Sequence, residues 1–416
     1  MLSRATTQAA IPGQSGSGGS DTQNYCYDEH NRLVWAANNG TCGSASMSST
    51  LGGNYTASYA STNLGQLWQG PQNGSGTQEQ YLYCDSSHPH QLSNLSQVSS
   101  SPTCSSKGTI DYTGSYDAWG NVSSQQRGST TTSTAYNGQD HLLHWSSSTN
   151  SQQEWYLYDA SGERVLRRSF DGTNTTLTVY AFGLEEHQYA YSGSGSSATN
   201  TGNTYYYTLA GQLLGTWDGS ASPTTFLLTD SLGSVVASFN NLPSGAVMLG
   251  NQLYGPYGNQ RLSQGSLSTN KGFMGQYNDG LTGLDYYGAR YYDPTIGLFL
   301  SADTVQGNVK GMDPYSYVGG NPETETDPTG LFALGPNGET SWTNPNGVRY
   351  VDTPGAGPTV LIPPVVSLLP PPTQPYAWKP ASSFPHYVSP PKPAGVQVRR
   401  PGQGYNGGRK LDRSIR

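Results

Sequence analysis

Short segments that alternate apolar and polar residues recur between residues 24 and 263, and each pair of segments is separated by a turn signal. A unit begins with a Tyr-rich arm, passes through Asp-x-x-Gly or a close variant, and ends in an arm with alternating Val or Leu. Alternation with a period of two predicts strands, and the Asp and Gly between the arms predict a hairpin turn. Seven units follow this pattern: NYCYDEHNRLVWA at 24–36, GSYDAWGNVSS at 114–124, TAYNGQDHLLHW at 134–145, WYLYDASGERVLRRSF at 155–170, YYYTLAGQLLGTW at 205–217, FLLTDSLGSVVASF at 226–239 and LYGPYGNQRLS at 253–263.

One hairpin cannot bury its own apolar face, but hairpins placed side by side bury a continuous sheet. Residues 23–271 are therefore predicted to form an array of β-hairpins. The stretches 38–110 and 190–203 are polar and poorly patterned, which predicts interruptions in that array. Residues 1–22 are rich in Ser, Gly, Thr and Gln, so we expect a disordered N-terminus.

The composition supports an all-β fold up to residue 331. Charged residues make up 11% of the chain, whereas Gly numbers 53 and Tyr 30, the residues of tight turns and twisted strands. We expect the tyrosines to pack and pair across strands. The functional alternative is that exposed Tyr and Trp rings stack on carbohydrate. Binding of single-stranded nucleic acid is disfavoured because the body of the chain is acidic.

The composition changes after Leu331. Residues 332–416 contain 16 of the 27 prolines, and proline cannot donate to a sheet, so a variable Pro-rich region in polyproline II or disordered form is predicted. Nine Lys and Arg face three acidic residues in this region. Such a tail is either solvated or binds anions or nucleic acid. It contains one His and no Cys, so neither a metal site nor a catalytic triad can be assembled from it, and no cofactor is predicted.

The four cysteines, Cys26, Cys42, Cys84 and Cys104, lie in the first quarter of the chain. Their spacing matches no zinc-binding pattern, since there is no CxxC and no neighbouring His pair. Two disulfides, 26 to 42 and 84 to 104, are one expectation for an oxidising compartment. Free buried thiols are the alternative.

Residues 272–331 combine aromatic strand-like pieces with Asp-Pro and Asn-Pro turn signals, which predicts a compact plug. They also contain three spaced charges, Arg290, Asp303 and Asp327. Two carboxyls held close together share a proton, so that one activates water while the other polarises a carbonyl. The spacing of Asp303 and Asp327 does not establish that they meet, because Asp before Pro is also an ordinary turn residue.

The hairpin units and the segments GLDYYGARYYDPTIGLF, SAD and DPTGL resemble the YD repeats and the repeat-associated core of the Rhs family. The resemblance implies a curled β-shell that the core plug closes, and a core that cuts its own chain and frees a variable C-terminal segment. It implies catalytic roles for Arg290, Asp303 and Asp327 and cleavage between Leu331 and Phe332. The chain would then be at most a single-turnover aspartyl autoprotease.

Two positions depart from the family pattern, since Leu298 replaces an Arg and Thr304 replaces a Pro. An uncleaved structural plug is the alternative for this segment. The expected function is carriage and release of the C-terminal peptide in intercellular competition or toxin delivery. The alternative is a non-catalytic cell-surface protein that binds carbohydrate or neighbouring cells.

The expected partners are the chain's own C-terminal segment, cell-surface glycans and an immunity protein, with nucleic acid only through the basic tail. No apolar run is long enough to span a bilayer, and the N-terminus has no apolar signal segment. The resemblance implies a secreted or surface-located protein, so either export uses another route or Met1 is an internal start in a once longer gene.

Overall fold

A computed structural model describes residues 1–8, 18–46, 49, 51–71, 78–191, 198–209, 211–220, 224–242, 245–304, 313–331, 333–334, 340–343, 349–353 and 357–362. All of them lie in the first of two compact units, Met1–Val365. In these residues the only helices are single 3-10 turns, at Val98–Ser100, Phe273–Gly275 and Val318–Gly320. None of the described helices has the length and apolar character needed to cross a membrane.

The remaining regular structure is strand. In chain order the strands are β1 (Leu2–Gln8), β2 (Gly19–Tyr27), β3 (Leu33–Asn38), β4 (Thr56–Ser58), β5 (Ala60–Ser61), β6 (Leu67–Pro71), β7 (Gln78–Leu82), β8 (Asn94–Gln97), β9 (Ile110–Tyr116), β10 (Val122–Arg127), β11 (Thr130–Tyr136), β12 (Leu142–Ser147), β13 (Gln153–Tyr158), β14 (Arg164–Phe170), β15 (Thr175–Ala181), β16 (Glu185–Tyr191), β17 (Ala198–Leu209), β18 (Gln212–Trp217), β19 (Thr225–Thr229), β20 (Val235–Leu242), β21 (Gly245–Tyr254), β22 (Gln260–Gly265), β23 (Tyr277–Asp279), β24 (Leu284–Tyr286), β25 (Tyr291–Asp293), β26 (Leu298–Phe299), β27 (Thr340–Thr343), β28 (Arg349–Thr353) and β29 (Gly357–Ile362).

Strands β5 to β22 form one large antiparallel sheet in which each strand pairs with the next one in the chain. Strands β1 to β4 form a second sheet. Arg261 in β22 lies 2.8 Å from Asp21 in β2, so the last strand of the large sheet contacts the β1–β4 sheet. The prediction of an all-β array of hairpins is confirmed.

The repeated turn chemistry is as the sequence predicts. In the turn between β13 and β14, Asp159 Oδ1 accepts hydrogen bonds from the backbone amides of Ser161 and Glu163, at 2.8 and 3.1 Å. The same two-residue and four-residue spacing recurs at other array turns, led by Asp28, Asp117, Asn137 and Asp230. Gly162 follows with a φ of +89°, a conformation that L residues rarely adopt.

Both polar stretches contain strands, and the change from the β1–β4 sheet to the large sheet falls within the first stretch, between β4 and β5. Residues 38–110 contribute β4 to β8 and the start of β9, and residues 190–203 contribute the end of β16 and much of β17. Their polar side chains are buried in part, including Asn94 at 1% exposure and Ser96 at 0%. The pattern of apolar residues missed these strands because polar side chains occupy their buried positions.

The N-terminus departs from the sequence-based prediction of disorder for residues 1–22. Leu2–Gln8 and Gly19–Tyr27 pair as an antiparallel hairpin. Arg4 lies 3.2 Å from Asp230 and 3.4 Å from Glu323, and Asp21 contacts Arg261. Partners far along the chain satisfy these polar residues, which a local composition cannot reveal.

Part of the Pro-rich region also departs from the sequence-based prediction. Strands β27 to β29 form a three-stranded sheet at residues 340–362, where polyproline II or disorder was expected. These strands use the aromatic and β-branched residues of the region, in TSWT, RYVDT and GPTVLI. The proline runs that follow lie outside the described residues.

The plug consists of β23 to β26, which form a four-stranded sheet against the array. Its aromatic core includes Tyr287, Tyr292, Phe299 and Tyr317, all at most 1% exposed. Array residues also bind it, since Tyr81 donates from its hydroxyl to Ile296 O at 2.9 Å. The plug is therefore fixed by the array on which it sits.

The cysteines pair as Cys26–Cys42 and Cys84–Cys104, with Cα separations of 5.8 and 5.4 Å. The structure thus decides between the two expectations in favour of disulfides. Each bond closes a loop within the first quarter of the chain, where the strands are short.

Candidate functional site

Arg290 brings the two predicted catalytic carboxyls together. Its Nη2 atom lies 3.3 Å from Asp303 Oδ2 and 3.5 Å from Asp327 Oδ2. Because both oxygens contact one nitrogen atom, the carboxyls are neighbours although they are far apart in the sequence. The three side chains are between 4% and 8% exposed, so bulk water reaches them little.

Arg290 is itself held on several sides. It follows β24 and precedes β25, and its Nη1 donates to Pro314 O at 2.9 Å. Its guanidinium carbon lies 3.7 Å from the centre of the Phe299 ring, a close cation–π contact. Burial lowers the pKa of the guanidinium, and the charges of Asp303 and Asp327 oppose that shift.

Asp303 follows β26 and is placed by its backbone. Its amide donates to Pro314 O at 3.0 Å, so the same carbonyl oxygen binds both Asp303 and Arg290. This shared acceptor holds the backbone of Asp303 close to the guanidinium of Arg290. The residues 305–312 that connect Asp303 to Asp313 lie outside the described part of the chain.

Asp327 organises the turn that leads to the predicted cleavage site. Its Oδ1 atom accepts hydrogen bonds from the amides of Thr329 at 3.3 Å and Leu331 at 3.0 Å. This is the same spacing as in the array turns, so turn formation alone accounts for part of its role. The other oxygen of Asp327 faces Arg290, whose guanidinium also contacts Asp303.

Backbone hydrogen bonds join the two ends of the segment that contains this turn. Thr326 and Leu334 exchange two backbone hydrogen bonds, at 2.9 and 2.6 Å, which ties the ends of the loop together. Leu331 is described, whereas Phe332, the other residue of the predicted cleavage site, lies outside the described residues. Leu331 therefore lies within a segment whose ends, Thr326 and Leu334, are paired.

Gly330 allows the loop to lie directly on Arg290. A Cβ atom at this position would be 2.8 Å from Tyr287 O and 3.1 Å from Arg290 N, and the φ of Gly330 is +74°. Arg290 Nε also donates to Gly330 O. The sequence DPTGL therefore combines a carboxylate with a glycine that permits close approach.

The two departures from the family pattern leave this geometry intact. Leu298 is 3% exposed and packs in the aromatic core, and Thr304 is exposed next to Asp303. Neither contacts Arg290 in the described residues. The three charged residues predicted from the sequence meet without an Arg at 298 or a Pro at 304.

The sequence did not reveal a second buried charge cluster. Arg164 and Arg167 in β14 lie 2.5 and 2.7 Å from the two oxygens of Asp279 in β23. Five tyrosine rings surround the Arg164 guanidinium, those of Tyr156, Tyr180, Tyr277, Tyr286 and Tyr291. This cluster joins the array to the plug, and no local sequence motif predicts it.

Among the described residues, no group of three His, Cys, Asp or Glu side chains has an arrangement that could hold a metal ion.

Asp285 in β24 makes the stability of the plug depend on pH. Burial raises the pKa of its carboxyl to about 8, so the folded protein keeps a proton that the unfolded chain releases above about pH 4. Because the folded state binds more protons between about pH 4 and 8, the free energy of unfolding falls as pH rises through this window.

We expect Asp285→Asn to remove this dependence, since an amide does not titrate. Denaturant unfolding at pH 5, 6.5 and 8 should show the wild type losing stability relative to the variant as pH rises. The exposed turn variant Asp171→Asn serves as the control. Parallel stability curves for wild type and Asp285→Asn would contradict the assignment.

The chain resembles YD-repeat shell proteins in both sequence and fold. The family model of the teneurin YD-shell matches residues 142–319. Toxin subunit YenC1 of Yersinia entomophaga is 30% identical over 204 residues, which cover 44% of this chain and 20% of that protein. Probable deoxyribonuclease RhsB of Dickeya dadantii (strain 3937) is 43% identical over 74 residues, covering 17% of this chain and 5% of that protein.

A solved structure shows the same fold. The crystal structure of TcdB2-TccC3-Cdc42 superposes with a TM-score of 0.50 over 75% of this chain and 18% of that chain, at 19% identity. These matches support a relationship to YD-repeat and Rhs proteins. The chain spans a fifth or less of these relatives, and the identity of 272–331 as an Rhs core remains a prediction.

Proposed function

We propose that this protein is part of a toxin-related YD-repeat shell that cleaves its own chain between Leu331 and Phe332. The observation that carries the proposal is that one guanidinium, Arg290, contacts Asp303 and Asp327 while Asp327 binds the amide of Leu331. Two neighbouring carboxyls, one of which binds the amide of Leu331, favour metal-free hydrolysis of the next peptide bond.

In the proposed reaction one carboxylate takes a proton from water, and the resulting hydroxide attacks the carbonyl carbon of Leu331. The protonated carboxyl of the pair donates its proton to the nitrogen of Phe332 as the peptide bond breaks. The products are a Leu331 carboxylate and a Phe332 amine. Arg290 holds the two Asp side chains and Gly330 O in place, and the reaction occurs once per chain.

Release of residues 332–416 is the consequence of this cut. The relatives named as toxin subunits make delivery of this segment in intercellular competition the favoured role, and an immunity protein would be its partner. A secreted or surface location follows from that role. The enzyme class proposed is a single-turnover aspartyl autoprotease, with no metal or cofactor.

The mass of the purified full chain tests this proposal. We expect two fragments that end at Leu331 and begin at Phe332, because the site is assembled within the folded chain. N-terminal sequencing of the smaller fragment identifies the bond. A chain that stays whole after prolonged incubation would refute self-cleavage and favour the uncleaved plug.

The non-catalytic alternative concerns the surface of the array. Trp119 and Phe182 are 79% and 95% exposed, and both lie at turns between strands. Most of the tyrosines in the described residues are instead buried or partly buried. Carbohydrate binding therefore remains a prediction, and a glycan array probed with the Trp119→Ala and Phe182→Ala variants as controls would test it.

A further inference from the structure

A single backbone carbonyl connects the two sides of the proposed site. Pro314 O accepts one hydrogen bond from the amide of Asp303 at 3.0 Å and another from Arg290 Nη1 at 2.9 Å. A displacement of this carbonyl would act on both the backbone of Asp303 and the guanidinium of Arg290. The residue before Pro314 is Asp313.

Asp313 is buried and is held from two directions. Its side chain is 1% exposed, and its Oδ1 accepts a hydrogen bond from the amide of Tyr315 at 3.3 Å. The same oxygen lies 3.3 Å from His90 Nδ1. The contact with His90 is a charge contact without hydrogen-bond geometry, since neither His90 Nδ1 nor Asp313 Oδ2 has a hydrogen-bond partner among the described residues. Burial raises the pKa of the Asp313 carboxyl, while His90 and Arg290 oppose the shift.

His90 belongs to the array and not to the plug. It lies between β7 and β8, within the segment that the Cys84–Cys104 disulfide closes. The preceding residue, Pro89, accepts a hydrogen bond from the buried Gln66 at 2.5 Å, which anchors this segment to the turn before β6. The imidazole is 26% exposed, so it reaches inward to Asp313 from a defined backbone.

A second contact from the array supports the same part of the plug. Tyr315, two residues after Asp313, donates from its hydroxyl to Gly120 O at 2.6 Å. Array residues therefore contact the segment that carries Pro314 at Asp313 and at Tyr315. Of the two array contacts, that of His90 is the one made to the carboxyl of Asp313, the residue before Pro314.

We propose that His90 is a positioning residue for self-cleavage, which acts through Asp313 and Pro314 on Arg290 and Asp303. This inference rests on the proposed function. It makes cleavage depend on docking of the array segment 85–93 onto the plug, so the chain is cut only after the array has folded against it. Residues remote from a reacting bond can have such effects, because small displacements of reacting groups cost about 10²-fold in rate.

The test follows self-cleavage of the full chain during cell-free synthesis under oxidising conditions, with timed samples analysed by mass spectrometry. We expect His90→Ala to slow cleavage by about 10-fold to 100-fold. His90→Gln, which keeps a donor for the Asp313 carboxyl, should recover to within about 3-fold of the wild type, a criterion set by the same geometric argument.

His88→Ala is the matched control. His88 lies in the same segment, its side chain is 59% exposed, and it pairs with Asp85 at 2.9 Å instead of with the plug. We expect this variant to cleave at the wild-type rate. Melting temperatures of all three variants, each in a cleavage-deficient Asp303→Asn background, separate positioning from loss of fold.

Each outcome either supports or overturns the positioning role of His90. Wild-type cleavage with an unimpaired His90→Ala variant overturns the inference and leaves the proposed function standing. Equal slowing in His90→Ala and His90→Gln with lowered melting temperatures also overturns it, because the role is then structural. A wild type that never splits overturns the proposed function and this inference together.

Discussion

Asp327→Asn and Asp303→Asn are each expected to stop self-cleavage, with a loss on the order of 10³-fold or more in rate. An amide neither accepts a proton from water nor donates one to the leaving nitrogen, so the pair loses one of its two roles. Asn at 327 retains an oxygen for the amides of Thr329 and Leu331, so the turn itself can persist. The measurement is the fraction of intact chain over time by mass spectrometry.

The control for this experiment is Asp159→Asn in the array. Asp159 binds backbone amides two and four residues ahead, as Asp327 does, but it lies at an exposed turn. We expect Asp159→Asn to cleave like the wild type. If either Asp303→Asn or Asp327→Asn cleaved at the wild-type rate, the carboxyl pair would not be the catalytic group.

Asp279→Ala is expected to lower the free energy of unfolding by about 3–5 kcal/mol, since it leaves the buried Arg164 and Arg167 without their shared carboxylate. Arg164 depends on Asp279 most, with a separation of 2.5 Å and a side chain that is 1% exposed. Arg167 keeps a more distant carboxylate, Glu154, at 3.9 Å. Denaturant unfolding measures the loss.

Asp279 lies on the plug and both arginines lie on the array, so the same variant should also loosen the docking of the plug. Limited proteolysis between β22 and β23 should then become faster. Asp218→Ala, at an exposed turn, is the matched control. A loss below about 1 kcal/mol would mean that the cluster contributes no more than a surface ion pair.

Local features of the sequence predicted a large part of the fold. The seven units at 24–263 fold as the expected hairpins, because the turn residues and the alternating arms that specify a hairpin are close together in the chain. The same approach missed β1, because the polar residues of the N-terminal hairpin find partners such as Asp230 and Glu323 far along the chain. It likewise missed β27 to β29 among the prolines.

Only part of the candidate site could be predicted from the sequence. Resemblance to a family selected Arg290, Asp303 and Asp327, and the spacing alone did not show that they meet. No sequence pattern identified His90, Asp313 or the cluster around Arg164. A lone His in a polar loop and an Asp before Pro are common features of surface turns, and only their contacts distinguish them.

The sequence by itself determined where the chain turns and which arms become strands, because Asp, Asn and Gly act on the backbone within a few residues. Only the tertiary structure decided which distant charges share a buried space. Arg290 meets two carboxyls, Arg164 meets Asp279, and His90 meets Asp313 because the array places its turns against the plug. A buried charge requires a partner, and the packing of the sheet, not the order of residues, selects that partner.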